Sequence, residues 1–334
     1  MIPVQYALRR RLMGLFKRIP QLSYYGTITS LSVARYTLSA TTVGDYALFA
    51  GGRNSSVAQL STVDAYNKSL TRTTPTALSV ARRGSAATTV GDYALIGGGQ
   101  SSTYLSTVDA YNKSLTRTTP TALSVARTML DATTVGDYAL FGGGHGSGDV
   151  QTVDAYNKSL TKTTTTTGLT NSMYGPSATT VGEYALFVCA TSHPVNAYNK
   201  SLTRTTATAP SASRLYSYAA TTVGDYALFG GGGGKNSVVD AYNVSLTRSV
   251  LTNLSVGRDY FSATTVGDYA LFTGGGASSG AVATVDVYNK SLTKTATADL
   301  SVARDSLVAV TVGDYALIGG GYKDISTVDV YQVK

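Results

Sequence analysis

The chain of 334 residues contains one cysteine, two histidines, seven prolines and no tryptophan. A single Cys189 excludes an internal disulfide and any centre built from several thiolates. The two histidines, His145 and His193, show no recognisable metal-ligand spacing. Charged residues are sparse at 14%. No apolar run reaches the length of about 18 residues that a membrane-spanning helix needs. What is abundant is Gly, Thr, Ser and Tyr, within a composition that is 43% hydrophobic. That mixture favours short strands and tight turns over helices, because branched and aromatic side chains fit a pleated surface.

The net charge of +8 is concentrated at one end. Residues 1–20 carry Arg9, Arg10, Arg11, Lys17 and Arg18 with no acid, so only +3 remains for the rest of the chain. A near-neutral body argues against a nucleic-acid footprint over it. Within the first 20 residues, Leu8, Leu12, Leu15, Phe16 and Ile19 fall at helical spacing between the basic residues. The segment therefore reads either as a basic amphipathic helix for a membrane surface or a larger assembly, or as a solvated terminus. The arginines interrupt any apolar core of a standard secretory signal, and Pro20 would stop a helix. The expected organisation is a tail over 1–20 and a single folded body over 21–334.

That body is repetitive. Val-Gly-(Asp/Glu)-Tyr-Ala-Leu starts at Val43, Val90, Val135, Val181, Val223, Val266 and Val312, at offsets of 47, 45, 46, 42, 43 and 46 residues. A period in this range marks stacked supersecondary units. In the second copy, Ser85–Val90 reads as strand A, Gly91-Asp92 as a two-residue hairpin turn, and Tyr93–Ile96 as an apolar, buried strand B. Gly97-Gly98-Gly99 ends strand B, and a variable loop leads to strand C over Ser106–Tyr111. Asn112-Lys113-Ser114 turns the chain into a Thr-rich outer strand D over Leu115–Ala122. Asn-Lys-Ser also matches a glycosylation pattern, but its residues are turn formers first. Four antiparallel strands joined this way make one propeller blade, so the fold class is all-β: a seven-bladed β-propeller.

An apolar strand ended by glycines, then Val-Asp-Ala-Tyr-Asn, then a lead-in Arg, resembles the kelch repeat. The glycines are Gly51-Gly52, Gly97-Gly98, Gly142-Gly143, Gly230-Gly231, Gly274-Gly275 and Gly319-Gly320, and the tyrosines Tyr66, Tyr111, Tyr156, Tyr198, Tyr242, Tyr288 and Tyr331. The family's Trp is replaced by Thr or Ser, as at Thr73 and Ser249. Near-identical repeats in a Gly/Thr-rich chain look like bacterial or phage kelch-type proteins, a resemblance that implies adhesion or receptor binding.

The seventh copy ends in Val328–Lys334 without a strand D, whereas Tyr24–Arg35 aligns with Thr116–Arg127, a strand D plus lead-in. The N-terminal strand is therefore expected to complete the last blade. The fourth copy departs most: Phe187-Val188-Cys189-Ala190 replaces the glycine run, Asn196 the Asp, and Met173 the lead-in Arg.

Strand parity puts the A–B and C–D turns on one face and the B–C loops and D–A crossovers on the other. The first face repeats almost unchanged and the second carries nearly all the variation, which makes it the expected binding face. The candidate binding residues there are Arg83, Tyr104, His145, His193, Lys235, Asn236, Tyr260, Tyr322 and Lys323, together with the lead-in residues Arg35, Arg82, Arg127, Arg258 and Arg304. Arg214 stands one residue out of that register. The kelch resemblance implies that lead-in arginines ring the channel mouth and fork onto carboxylate or phosphate. Equally, each could pair internally with the Asp that recurs once per blade, at Asp64, Asp109, Asp154, Asp240, Asp286 and Asp329.

Two functions remain. One is a non-catalytic module whose variable face takes a protein segment or glycan, without cofactor or metal. The other is a metal-dependent, oxidase-like or other small-molecule enzyme at the channel mouth. No nucleophile–base pair or phosphate-binding Gly motif supports catalysis.

Overall fold

The computed structural model describes residues 20–334 apart from 57, 166, 190–193 and 213–217. The expected helix in the tail lies outside the described residues, as do His193 and Arg214. Seven four-stranded antiparallel sheets form the chain. The innermost strands neighbour one another in sequence order, and the last returns to the first, so the sheets close into a propeller. Blade two shows the common pattern, with strands at Ala86–Val90, Tyr93–Gly97, Val108–Asn112 and Arg117–Thr118.

The ring closes as the repeat alignment predicts. Strand Leu22–Ile28 pairs antiparallel with Val328–Val333 and serves as strand D of blade seven. Tyr24 Oη donates to Asp329 Oδ1 at 2.6 Å, tying the two ends of the chain together by a side chain as well.

Strand D is shorter than expected, only Arg117–Thr118 in blade two against the predicted Leu115–Ala122. Pro120, two residues further on, has no N–H to extend the ladder there, while Lys294–Thr295 of blade six is as short with no proline after it. The longest strand D that follows a C–D turn is Arg204–Ala207 of blade four, where the next proline comes only at Pro210. That blade forms all four strands despite its divergent sequence.

The core lies between blades. One cluster joins Val90, Leu95, Val108 and Ala110 of blade two to Ala139, Phe141 and Tyr156 of blade three. Strand B is apolar throughout because both of its faces are covered, one by each neighbouring blade. Each fully buried Leu there contributes about 1.5–3 kcal/mol. The strand C tyrosine reaches back across the same interface. Tyr111 Oη donates to the Thr76 carbonyl at 2.8 Å and Tyr156 Oη to that of Thr121 at 2.7 Å. The tyrosine ring meets a strand B phenylalanine edge to face, as Phe141 meets Tyr156 at 5.8 Å. Burial raises these phenols well above their ordinary value, Tyr198 to about 12.

Around the central channel, strand A contributes a girdle of paired threonines. Thr88 and Thr134 hydroxyls lie 2.9 Å apart, Thr133 and Thr180 2.8 Å, and Thr264 and Thr311 2.8 Å.

Candidate functional site

The lead-in arginines do not form an open ring at the mouth. Arg35, Arg82, Arg127, Arg258 and Arg304 are buried, and each pairs with the carboxylate of the blade it leads into: Asp64 at 2.9 Å, Asp109 at 2.7 Å, Asp154 at 3.0 Å, Asp286 at 2.8 Å and Asp329 at 2.7 Å. Each also donates to the carbonyl at the end of strand B, Arg82 to Ile96 at 3.0 Å and Arg304 to Ile318 at 3.0 Å. The same Asp accepts from a crossover serine, as Asp109 does from the Ser79 N–H at 3.2 Å and Oγ at 3.0 Å. One carboxylate thus anchors the whole crossover. Burial lowers Arg82 and Arg127 against the opposing pull of their aspartates. Asp286 is pushed up by burial, but Lys294, Ser255 and Arg258 outweigh this and hold it below its ordinary value. These five arginines are internal clamps, out of a ligand's reach.

In the fourth blade both partners change together. Met173 is buried where the Arg would be, and Asn196, also buried, accepts from the Thr170 N–H at 2.9 Å. An ionised Asp without its Arg would be costly there, and a neutral amide keeps the crossover bond without the charge.

What reaches the mouth is the next residue along. It is locked to the residue after the glycine pair by backbone hydrogen bonds. Tyr36 and Arg53 exchange them at 3.0 and 2.9 Å, Arg83 and Gln100 at 3.0 and 2.8 Å, and Thr128 and His145 at 2.9 and 2.8 Å. Asp259 and Gly276 do the same at 3.1 and 2.8 Å, and the Tyr322 N–H donates to the Asp305 carbonyl at 2.9 Å. The glycines permit this approach. A Cβ at Gly98 would stand 2.7 Å from the Arg127 carbonyl oxygen, and one at Gly99 2.9 Å from that of Arg83.

One residue further, the crossovers link to each other. Ser306 N–H donates to Tyr260 O at 2.7 Å, Thr37 to Ser306 at 3.1 Å, Gly84 to Thr37 at 3.1 Å, Met129 to Gly84 at 3.0 Å, and Gly175 to Met129 at 3.1 Å. This chain of bonds runs through six blades and crosses the junction between the last and the first. Its residues sit at positive φ, including Thr37 at 49°, Met129 at 52° and Tyr260 at 50°. A β-branched or bulky residue there is strained. Strain gathered at one rim is a mark of a functional locus.

The rim encloses a cavity of about 1100 Å³ at the channel mouth. Tyr36, Arg53, Arg83, Tyr260, Tyr322 and Asp305 line it, with Lys235, Lys323 and Asp324. Of the predicted site residues, the structure therefore brings together Arg83, Lys235, Tyr260, Tyr322 and Lys323. Tyr104 and His145 stand outside the lining and pack edge to face at 5.7 Å, while His145 Nδ1 lies 2.7 Å from Asp149. Asn236 caps its own loop, accepting from the Val238 N–H at 2.8 Å. Tyr36, Arg53 and Asp305 are mouth residues that the candidate set omitted. Their signal was positional: one residue after each lead-in Arg or glycine pair.

Lys235 is ion-paired with Asp259. Arg53 lies over the Tyr36 ring, with Cζ 4.8 Å from its centroid, and Tyr36 meets Tyr322 at 5.0 Å. Arg83 donates to Gln100 Oε1 at 2.7 Å. Burial, and then the Arg53 charge, lower Arg83. Among the described residues no group of three His, Cys, Asp or Glu side chains is placed to hold a metal ion.

The opposite face owes its monotony to packing. Lys113 bridges the two turns of its own blade by pairing with Asp92 at 2.5 Å. The Gly91 turn abuts Lys158 of the next blade, whose Cγ lies 2.9 Å from where a Cβ would be. The case for the variable face therefore rests on its cavity.

Comparison with protein-family models and with curated protein sequences finds no match. The fold, a β-propeller, is consistent with a binding or scaffold role.

Proposed function

We propose that this chain is a non-catalytic, kelch-like recognition module that takes a protein segment or glycan in the mouth cavity. The observation that carries this reading is the cavity itself: a cleft of about 1100 Å³ rimmed by half-exposed tyrosines and mixed charges, on a strained, hydrogen-bonded backbone frame. Aromatic bodies with polar tips, held on a rigid scaffold, suit recognition. An adhesion role, with the basic segment 1–20 docking the propeller to a larger assembly, belongs to the same proposal and rests on sequence pattern alone.

The test is a mixed peptide and glycan array probed with the full chain, with a Tyr260→Ala/Tyr322→Ala variant and with an Asp92→Ala/Asp137→Ala variant of the opposite face. Ligands lost only in the first variant support the reading. Binding that survives it, or that depends on the second, overturns it.

A further inference from the structure

Two guanidinium groups face the mouth cavity from adjacent blades. Arg53 and Arg83 both line the cavity. Neither makes an ion pair within 4.0 Å among the described residues, while the five clamp arginines all do. The Nε atoms of both are buried without a hydrogen-bond partner. Each is half-buried, so solvent compensates the two like charges only in part. Both are also held in place. The backbone bridges position them, Tyr36 supports the plane of Arg53, and Gln100 engages one Arg83 nitrogen. A preorganised pair of guanidinium forks is matched by a single carboxylate.

The rest of the lining says what that carboxylate is attached to. Asp305 and Asp324 line the same cavity, and neither is ion-paired among the described residues. Asp305 accepts from Ser306 Oγ at 2.9 Å and Asp324 from the Ser55 N–H at 3.0 Å. They would repel a ligand with many carboxylates, such as an acidic peptide, yet each is a strong acceptor for hydroxyl groups. Tyr260 and Tyr322, each about half exposed, add an apolar surface on which the C–H face of a pyranose ring can lie.

We propose that the mouth cavity recognises an acidic sugar, a polyhydroxylated ring with one carboxylate, which sits between Arg53 and Arg83 while its hydroxyls meet Asp305 and Asp324. This rests on the recognition reading above and specifies its ligand class. The carboxylate could come from a uronic acid or from a nonulosonic acid, and the experiment separates them.

Binding of the full chain is measured by calorimetry for four probes: an oligoglucuronate, its carboxyl-reduced form, sialyllactose, and a poly-glutamate peptide. One of the two acidic saccharides should bind. Carboxyl reduction or methyl esterification should weaken it at least about tenfold, as should Arg53→Gln and Arg83→Gln separately. Asp305→Asn should weaken the saccharide but not the peptide. Equal binding of neutral and acidic saccharides, tighter binding of poly-glutamate, or indifference to both arginine variants overturns the proposal. Array hits on neutral ligands that are lost in Tyr260→Ala/Tyr322→Ala would overturn the acidic-sugar assignment while leaving the recognition reading intact. Circular dichroism confirms that each variant is folded before either conclusion is drawn.

Discussion

Arg82 Nη2 stands 2.7 Å from Asp109 Oδ2 with both side chains shut off from solvent, and the same two positions of the fourth blade hold Met173 and Asn196. In the six blades where both positions are described, the pair is kept or exchanged whole. Removing one partner leaves a buried charge and should cost about 3–5 kcal/mol. Denaturant unfolding of Arg82→Met, Asp109→Asn and the double variant is the check. Each single change should lose stability in that range, and the double should be far less costly than their sum. An additive cycle would show that the clamp is not coupled.

Among the described residues, Leu22–Ile28 is the only outer strand supplied from the opposite end of the chain. Deleting residues 22–30 exposes the edge of Val328–Val333 and removes the Tyr24–Asp329 bond. Thermal unfolding should shift down cooperatively for the whole ring, not as a separate early step. An unchanged transition would contradict closure through this strand.

Thr37 is a β-branched residue at φ 49°, and its hydroxyl is buried without a partner. The equivalent positions in two other blades are Gly84 and Gly175, at 61° and 60°. Relief of left-handed strain, worth about 1–2 kcal/mol, outweighs the extra freedom glycine gives the unfolded chain. Thr37→Gly should therefore raise stability by up to about 1 kcal/mol in chemical denaturation. A loss would mean that the threonine makes a contact outweighing the strain.

Asp131 faces only the narrow interior of the channel, where its oxygens accept the Ala132 and Ala178 N–H groups at 2.8 and 2.7 Å. Burial raises its carboxyl to about 7 in spite of those bonds. A folded-state value above the unfolded one means that the native protein holds the proton more tightly. This contribution to stability is fully present below about pH 4 and is lost as pH rises through 7. The amount is on the order of 2–4 kcal/mol. Ser262, the neutral counterpart in blade six, accepts the Ala309 N–H at 2.9 Å. Asp131→Ser should accordingly remove the decline between pH 4 and 7 and be the more stable form at pH 8. A parallel pH profile for both proteins would refute this.

The architecture was legible because the repetition at Val43, Val90 and their copies exposes a single blade, and because Tyr24–Arg35 aligns with a complete strand D. The role of the arginines was not. Recurrence shows that Arg82 and Asp109 matter to every blade but not which way a side chain points, and the inward turn buries Arg82 while presenting Arg83. The short strand D was not legible either: Pro120 stops the ladder in blade two, but Lys294–Thr295 of blade six is equally short with no proline after it. The left-handed rim was hidden for a similar reason. Gly84 and Gly175 hint at it, but Thr37, Met129 and Tyr260 have no preference for such a conformation, and only the bonds between crossovers hold them there.

Among the described residues, backbone bridges at the mouth assign two letters to each of five blades, as in Tyr36 with Arg53 and Arg83 with Gln100. Main-chain bonds set the spacing between those letters, so it does not depend on what the letters are. The mouth can then be rewritten one residue at a time without disturbing the frame that holds it.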